Sequence, residues 1–315
     1  MKRSLIIFLM GILCLHTYPS FAEETEAPNK LAISVPDTYF GSDSENFSSY
    51  KYKAGFLPIY EHGETYTGIT YQHNYFTQGS WNSTGEQYTL VTNAINPRTA
   101  LGYNLNIGYN TESSHQLLTT DSNYGFRVTE STKAEVMINR DRVETQNSSN
   151  NGIYYTMAGA SVEQQISERF TAVLMGANMY FSDANTRPIA RAKLIYDLLP
   201  EYGLTAQLRY RQYWDTNTSV PNNYFNPSQY IENMIAFGAR KRIEGWVFSG
   251  TAGVGRQSVN QGSSTTTQLY EVAATSPVAS NDYYFKTRAG YGKSAGFQGP
   301  NYFYRYVMEE LIIPF

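Results

Sequence analysis

The chain has 315 residues, 15% of them aromatic and only 16% charged, with 28 Tyr against 16 Phe and a net charge of −3. A mean hydropathy of −0.43 and the lack of a long apolar run beyond residue 22 exclude transmembrane helices. The acidic balance argues against nucleic acid as a partner. Tyr joins an apolar ring to a wet hydroxyl, so this composition suits a membrane–water boundary.

The first segment reads as an export signal. Lys2 and Arg3 are its basic start, Leu5 to Leu15 its apolar centre, and Ser20-Phe21-Ala22 its small-residue cleavage site, with cleavage expected after Ala22. The apolar centre is too short to span a bilayer as a helix. The single cysteine, Cys14, lies inside this signal, and Leu13 just before it argues against a lipoprotein site. Residues 23–315 therefore hold no thiol, and the net charge without Lys2 and Arg3 is about −5. An exported chain without disulfides needs another stabilising device, such as a sheet closed on itself in a membrane. Residues 23 to 30 are polar and expected to be flexible, and a barrel is expected over residues 31 to 315.

From residue 31 onward the governing pattern has period two. Leu101, Tyr103, Leu105, Ile107 and Tyr109 alternate with Gly and Asn. Tyr202, Leu204, Ala206, Leu208 and Tyr210 alternate with Gly203, Thr205, Gln207, Arg209 and Arg211. Trp246, Phe248, Ala252 and Val254, then Tyr283, Phe285, Ala289 and Tyr291, form further apolar rows. Successive side chains on a strand point to opposite faces, so each segment has one greasy and one wet face. Tyr residues close several rows at both ends, as aromatic girdles at two membrane interfaces would.

Sixteen candidate strands follow: 31–40, 47–60, 64–76, 85–95, 99–111, 115–128, 132–144, 153–166, 169–181, 187–199, 202–214, 229–242, 245–258, 266–275, 282–293 and 302–315. The first and fourteenth carry the weakest pattern, which leaves fourteen strands as the alternative. The segment 169–181 is apolar on both faces. A soluble sandwich also alternates, but with roughly seven to nine strands. Here the segments run to the last residue, and many reach the ~10 residues that cross a membrane on a tilt. The expected fold is thus an all-β, antiparallel transmembrane barrel in the outer membrane of a Gram-negative bacterium, with outer-membrane lipid as its surroundings.

Leu199-Pro200-Glu201 and Ile243-Glu244-Gly245 are expected to be tight periplasmic turns. Gln146–Gly152, Asp215–Ser228 and Val259–Thr265 are rich in Ser, Asn, Thr and Gly and are expected to be external loops. The chain ends Leu311-Ile312-Ile313-Pro314-Phe315, and a terminal Phe after alternating apolar residues is the signal read by barrel-insertion machinery, the second expected partner. Glu309 and Pro314 depart from that pattern.

If the apolar rows face lipid, the alternate residues face the lumen. That places Arg191, Lys193, Arg209, Arg211, Glu232, Arg240, Arg242, Lys286 and Arg288 inward, with Lys133, Glu135, Asn139 and Asp141 on an earlier strand. A charge on the lipid face costs ~2–4 kcal/mol near the midplane. The lumen is then polar, mixed in sign and basic in its C-terminal half. Such a wall serves either as a ladder of neutralised pairs or as a path for a hydrophilic solute. Tyr66, Gln72 and Tyr284 are inward residues suited to sugars. His62, His73 and His115 have no metal-ligand spacing. His115 follows Ser113 and Ser114, but neighbours on a strand point apart, so a nucleophile–base pair is not expected. Neither enzymatic activity nor a cofactor is expected.

The stretch Tyr224-Phe225-Asn226-Pro227-Ser228-Gln229-Tyr230 leads into Ala236-Phe237-Gly238-Ala239-Arg240, then Trp246-Val247-Phe248-Ser249-Gly250 and Gly253-Val254-Gly255-Arg256-Gln257. It resembles the C-terminal barrel of the cellulose synthase operon protein C family, where a Tyr-Phe-x-Pro-x-x-Tyr loop precedes a Gly-containing and a Trp-containing strand. The poly-N-acetylglucosamine exporter barrel and related phage-receptor barrels are similar in this region. The resemblance implies sixteen strands and passage of an exopolysaccharide, cellulose-like or N-acetylglucosamine-based, with an inner-membrane synthase and a periplasmic scaffold as partners. Those exporters carry helical repeats before the barrel. Here strands follow the signal almost directly, so a scaffold would be a separate protein. An uptake porin and a plugged structural or phage-receptor barrel are the alternative expectations.

Overall fold

The computed structural model describes residues 30–112, 115–220, 223–278, 283–296 and 299–315. The expected signal and most of the polar segment after it, and Ser113 and Ser114, lie outside the described residues. The described chain forms sixteen strands: β1 (Lys30–Asp43), β2 (Phe47–His62), β3 (Thr65–Gln78), β4 (Trp81–Ile95), β5 (Gly102–Glu112), β6 (His115–Arg127), β7 (Thr132–Arg142), β8 (Tyr154–Gln165), β9 (Phe170–Phe181), β10 (Thr186–Leu199), β11 (Leu204–Tyr213), β12 (Tyr230–Ile243), β13 (Trp246–Val259), β14 (Thr265–Thr275), β15 (Tyr284–Gly296) and β16 (Gly299–Pro314). Each pairs antiparallel with its chain neighbours, and β1 closes the barrel on β16. The weakly patterned first and fourteenth strands are both present, so the fourteen-strand alternative is set aside.

The face of each residue follows from the register. Arg191 opposes Arg211, which opposes Glu232, which opposes Gln257. Directly opposed residues share a face, and these polar residues form the inner one. The outer face carries Ile69, Leu118, Leu174, Leu208, Phe237 and Val272, each more than half exposed. An apolar outer face and closed ladders are what a lipid environment demands, since no backbone group is then left unpaired. Two registers shift at prolines. β1 bulges between Ser34 and Asp37, around Pro36, and β2 between Phe56 and Ile59, around Pro58. Proline has no ladder donor, and a bulge tolerates that loss.

The first described residue, Lys30, and the last, Phe315, lie at one rim, the terminal rim. The turn Pro200–Tyr202 is a 3₁₀ turn at that rim, closed by Gly203 at φ 65°. A Cβ on Gly203 would fall 1.9 Å from the Arg240 carbonyl oxygen, so only glycine fits. Glu244-Gly245 turns at the same rim. The three polar segments expected as external loops all lie at the opposite rim, and one holds the short helix α1 (Gln146–Asn151). Aromatic side chains ring both ends of the outer face. Tyr75, Tyr109 and Tyr180 stand toward the opposite rim, and Tyr103, Tyr124, Phe170, Tyr202 and Phe248 toward the terminal rim.

Candidate functional site

The lumen wall from β10 to β12 concentrates positive charge. Arg191 faces Arg211, and Lys193 faces Arg209, across the β10–β11 ladder. Like charges placed directly opposite destabilise a sheet pair, so this arrangement is costly unless something anionic answers it. One carboxylate does so in part. Arg211 Nη2 donates to Glu232 Oε2 (2.9 Å) and to Tyr230 Oη (2.9 Å), while Tyr230 Oη donates to Glu232 (2.6 Å). Arg209 reaches only the neutral Gln207 Oε1 (2.6 and 2.9 Å). Among the described residues, no hydrogen bond or ion pair neutralises Arg191 or Lys193. Arg240 and Arg242 lie inward on β12 near the terminal rim, and Arg288 lies inward on β15 opposite Ala273 and Met308.

A quarter of the way round, β6 to β8 present acids. Glu163 pairs with Lys133 (3.0 Å), but Glu135 accepts from the neutral Asn123 amide (2.6 Å) and Asp121 from Asn139 (3.1 Å). The lumen therefore has a basic wall and an acidic wall, each only partly neutralised.

Two loops fold over the mouth at the opposite rim. The β11–β12 loop bends inward onto β9 and β10. Its Tyr224 ring stacks on inward-facing Phe181 (centroids 4.2 Å, 10°), and Val220 joins the same buried cluster with Ile153. Arg187 Nε and Nη2 grip the fully buried Asp215 carboxylate at 2.9–3.2 Å. The same guanidinium donates to the Phe225 carbonyl and sits among the rings of Phe181, Tyr213 and Tyr224. Asn185 donates to Asp215 (2.9 Å) and to Tyr224 Oη (3.1 Å), which donates to Asp183 (2.9 Å). Burial pushes the Asp215 carboxyl above its ordinary range against the pull of Arg187 and Asn185, and burial likewise raises the Tyr224 hydroxyl.

The β7–β8 loop completes this lid. Thr145 caps α1, and the Thr145 and Ser148 hydroxyls both donate to the Asn223 carbonyl, joining the two loops. Glu144 reaches across the mouth to Lys51 on β2 (2.5 Å), and Trp81 Nε1 donates to Asn150 Oδ1 (3.0 Å). The lid thus ties β2 and β4 to β9 and β10. This explains the two-sided apolarity of β9: Met179 and Phe181 face inward, but under the lid.

At the terminal rim the β1–β4 side is packed. Ala32, Leu57, Tyr60, Val91, Tyr284 and Ile312 form a buried cluster joined by Tyr66. Tyr284 Oη donates to Glu64 (2.5 Å), and Glu64 also pairs with Lys286 (3.5 Å). Tyr66, Gln72 and Tyr284 do point inward, but Tyr284 is fully buried and Tyr66 packs against the cluster. These two tyrosines are therefore packing residues, a correction to their reading as sugar platforms. Lys286, likewise, is half of a pair rather than a free lumen charge.

The motif residues separate by role. Tyr224 and Phe225 belong to the lid, Pro227 offers its carbonyl to the Asp215 amide (3.0 Å), and Tyr230 is a fully buried member of the Arg211–Glu232 network. Trp246 faces outward beside Phe248 and Phe285 in the terminal-rim girdle. Phe315 follows β16, and its amide donates to the Leu31 carbonyl (2.8 Å). Arg187, Asp215 and Glu144 give no sequence signal, because their partners lie 28 or more residues away.

No protein-family model and no curated protein matches the chain. Among solved structures, one described as a bacterial polysaccharide outer membrane secretin is similar at 14% identity and TM-score 0.64, covering 92% of this chain and 99% of that one. CdiB from Acinetobacter baumannii is similar at 11% identity and TM-score 0.47, covering 91% and 60%. The outer membrane protein OprD from Pseudomonas aeruginosa is similar at 10% identity and TM-score 0.44, covering 91% and 94%. The first of these likenesses shows that the chain has the fold of an outer-membrane barrel.

Proposed function

We propose that the chain is an outer-membrane channel of a Gram-negative bacterium that passes an exopolysaccharide outward through its lumen. The observation that carries this reading is the inward ladder Arg191, Lys193 and Arg209, a row of unneutralised cations that spans two strands below a folded-in mouth. Guanidinium and ammonium donors at ~7 Å steps along a strand give the hydroxyls and any anionic groups of a polysaccharide successive weak holds, which favours passage over capture. The likeness in fold to a polysaccharide secretin supports the reading, as does the resemblance of residues 223–257 to cellulose-type exporter barrels. A periplasmic scaffold and an inner-membrane synthase are the partners that this reading implies. The barrel itself performs no reaction and holds no cofactor in this reading.

The test is planar-bilayer conductance of the refolded chain with neutral, acidic and basic oligosaccharides added from either side. Expected is a small open current blocked by one class, with block weakened severalfold by Arg191→Gln/Lys193→Gln/Arg209→Gln. A large current indifferent to every sugar would replace this reading with a general porin. The lid across β2 to β10 favours a second reading, a closed structural or receptor barrel, and a silent barrel that stays silent when the lid is cut would establish that one instead.

A further inference from the structure

The outer wall carries its own site, away from the lumen. Between β10 and β13 the lipid face sinks into a groove of about 970 Å³, walled by Leu194, Leu208, Ile235 and Val254. All four side chains lie on the outward register, and the last three are each more than half exposed. At its end toward the opposite rim the lining turns polar, with Asn233, Thr266 and Arg256. Arg256 stands opposite Asn233 on one side and Thr266 on the other, three residues below the end of β13. No carboxylate lines the groove, and among the described residues Arg256 has neither an ion pair nor a hydrogen bond.

An unneutralised guanidinium on the lipid face is costly unless it meets an anion at headgroup depth. Three residues of tilted strand place Arg256 within ~10 Å of the rim, which is that depth. An apolar trough leading to a cation, an amide and a hydroxyl has the shape of a lipid: acyl chain below, phosphate and sugar hydroxyls above. A second groove, of about 490 Å³ beside Tyr291 and Val307, has the same build, but its Arg305 already donates to the Ser42 hydroxyl (2.9 Å).

We infer that the β10–β13 groove holds a phosphorylated, acylated glycolipid of the leaflet at the opposite rim, with its phosphate on Arg256. The inference rests on the chain being a membrane barrel but not on what crosses its lumen.

The experiment uses the full chain refolded in detergent. Native mass spectrometry follows titration with a bis-phosphorylated, acylated diglucosamine lipid, its dephosphorylated form, phosphatidylglycerol and inorganic phosphate. Expected is preferential retention of the phosphorylated glycolipid, weakened about fivefold by Arg256→Gln and lost in Val254→Trp, which fills the trough. Arg305→Gln serves as the matched control and should leave that retention unchanged. Equal binding of the dephosphorylated lipid or of phosphatidylglycerol, or unchanged binding by both groove variants, would overturn the inference. Vesicle insertion and the heat-dependent gel shift of each variant are measured alongside. A wild-type chain that does not insert would defeat the membrane reading, whereas one that inserts but retains no glycolipid would defeat the groove alone.

Discussion

The walls β9–β12 and β13–β16 face the same lumen and are built in opposite ways. The first is charged and tied to a lid: Arg187 holds Asp215, and Arg211 holds Glu232. The second is nearly free of such ties. Its inward rows carry Gly253, Gly255, Gly290 and Gly292, with Tyr302, Tyr304 and Tyr306 laid along β16. The Tyr306 ring packs against Gly290, stacks against Tyr304 and Tyr39, and donates its hydroxyl to Glu271 (2.7 Å). One wall meets water with charged side chains, some paired and some free, the other with aromatic hydroxyls packed beside glycine. A water-facing surface needs only satisfied polar edges, and either device supplies them.

The sharpest way to break this contrast is Arg187→Ala, which leaves Asp215 buried without its cation. Breaking a buried pair typically costs ~3–5 kcal/mol, and here that cost falls on the lid. Expected is a severalfold rise in single-channel conductance with proteolytic cleavage inside residues 214–229, while the barrel keeps its heat-dependent gel shift.

The opposite wall is tested by Gly290→Val. Even a Cβ there would sit 2.4 Å from the Tyr306 ring, so the ring must swing into the lumen. Overpacking of this kind costs ~1–3 kcal/mol. A lowered unfolding temperature on gels, together with a reduced current, is expected. Tyr306→Ala in the same chain should restore most of both, because it removes the clash.

Glu232→Gln leaves Arg211 without its carboxylate and makes the basic wall more positive. The expected outcome is a shift of reversal potential toward anions in a salt gradient, with little change in stability. The smallest effect concerns pH. Burial raises the Asp215 carboxyl, so it gains its proton at milder acidity than an ordinary Asp near ~3.9. The folded barrel binds that proton more readily than the unfolded chain does. Through this group, then, acid favours folding, and the contribution is lost as pH rises through the raised value. Closing the lid is what buries this carboxyl, so the same linkage favours the closed lid in acid, and the current should fall as pH falls through that range without unfolding. Asp215→Asn should show no such step.

Much of the barrel was legible in period-two alternation. Tyr202 to Tyr210 could only be a lipid row if Arg209 and Arg211 were inward, and the register places them so. The weakest strands, β1 and β14, were harder to read for definite reasons. β1 breaks its alternation at the Pro36 bulge, and β14 mixes Thr265, Thr266 and Thr267 on both faces. Tyr284 misled because an inward side chain need not face open water, and Glu64 from the neighbouring turn closes over it.

The sequence by itself determined which side of most strands meets lipid, β9 with its two apolar faces excepted, because alternation is a local property and the cost of a charge in hydrocarbon is the same on every strand. It also determined which connections are short and which long. Only the tertiary structure decided which inward charges stay free, that the β11–β12 loop turns into the mouth, and that Arg256 heads a groove on the outside. Those outcomes depend on residues from separate strands arriving at one place, which barrel closure and register alone bring about.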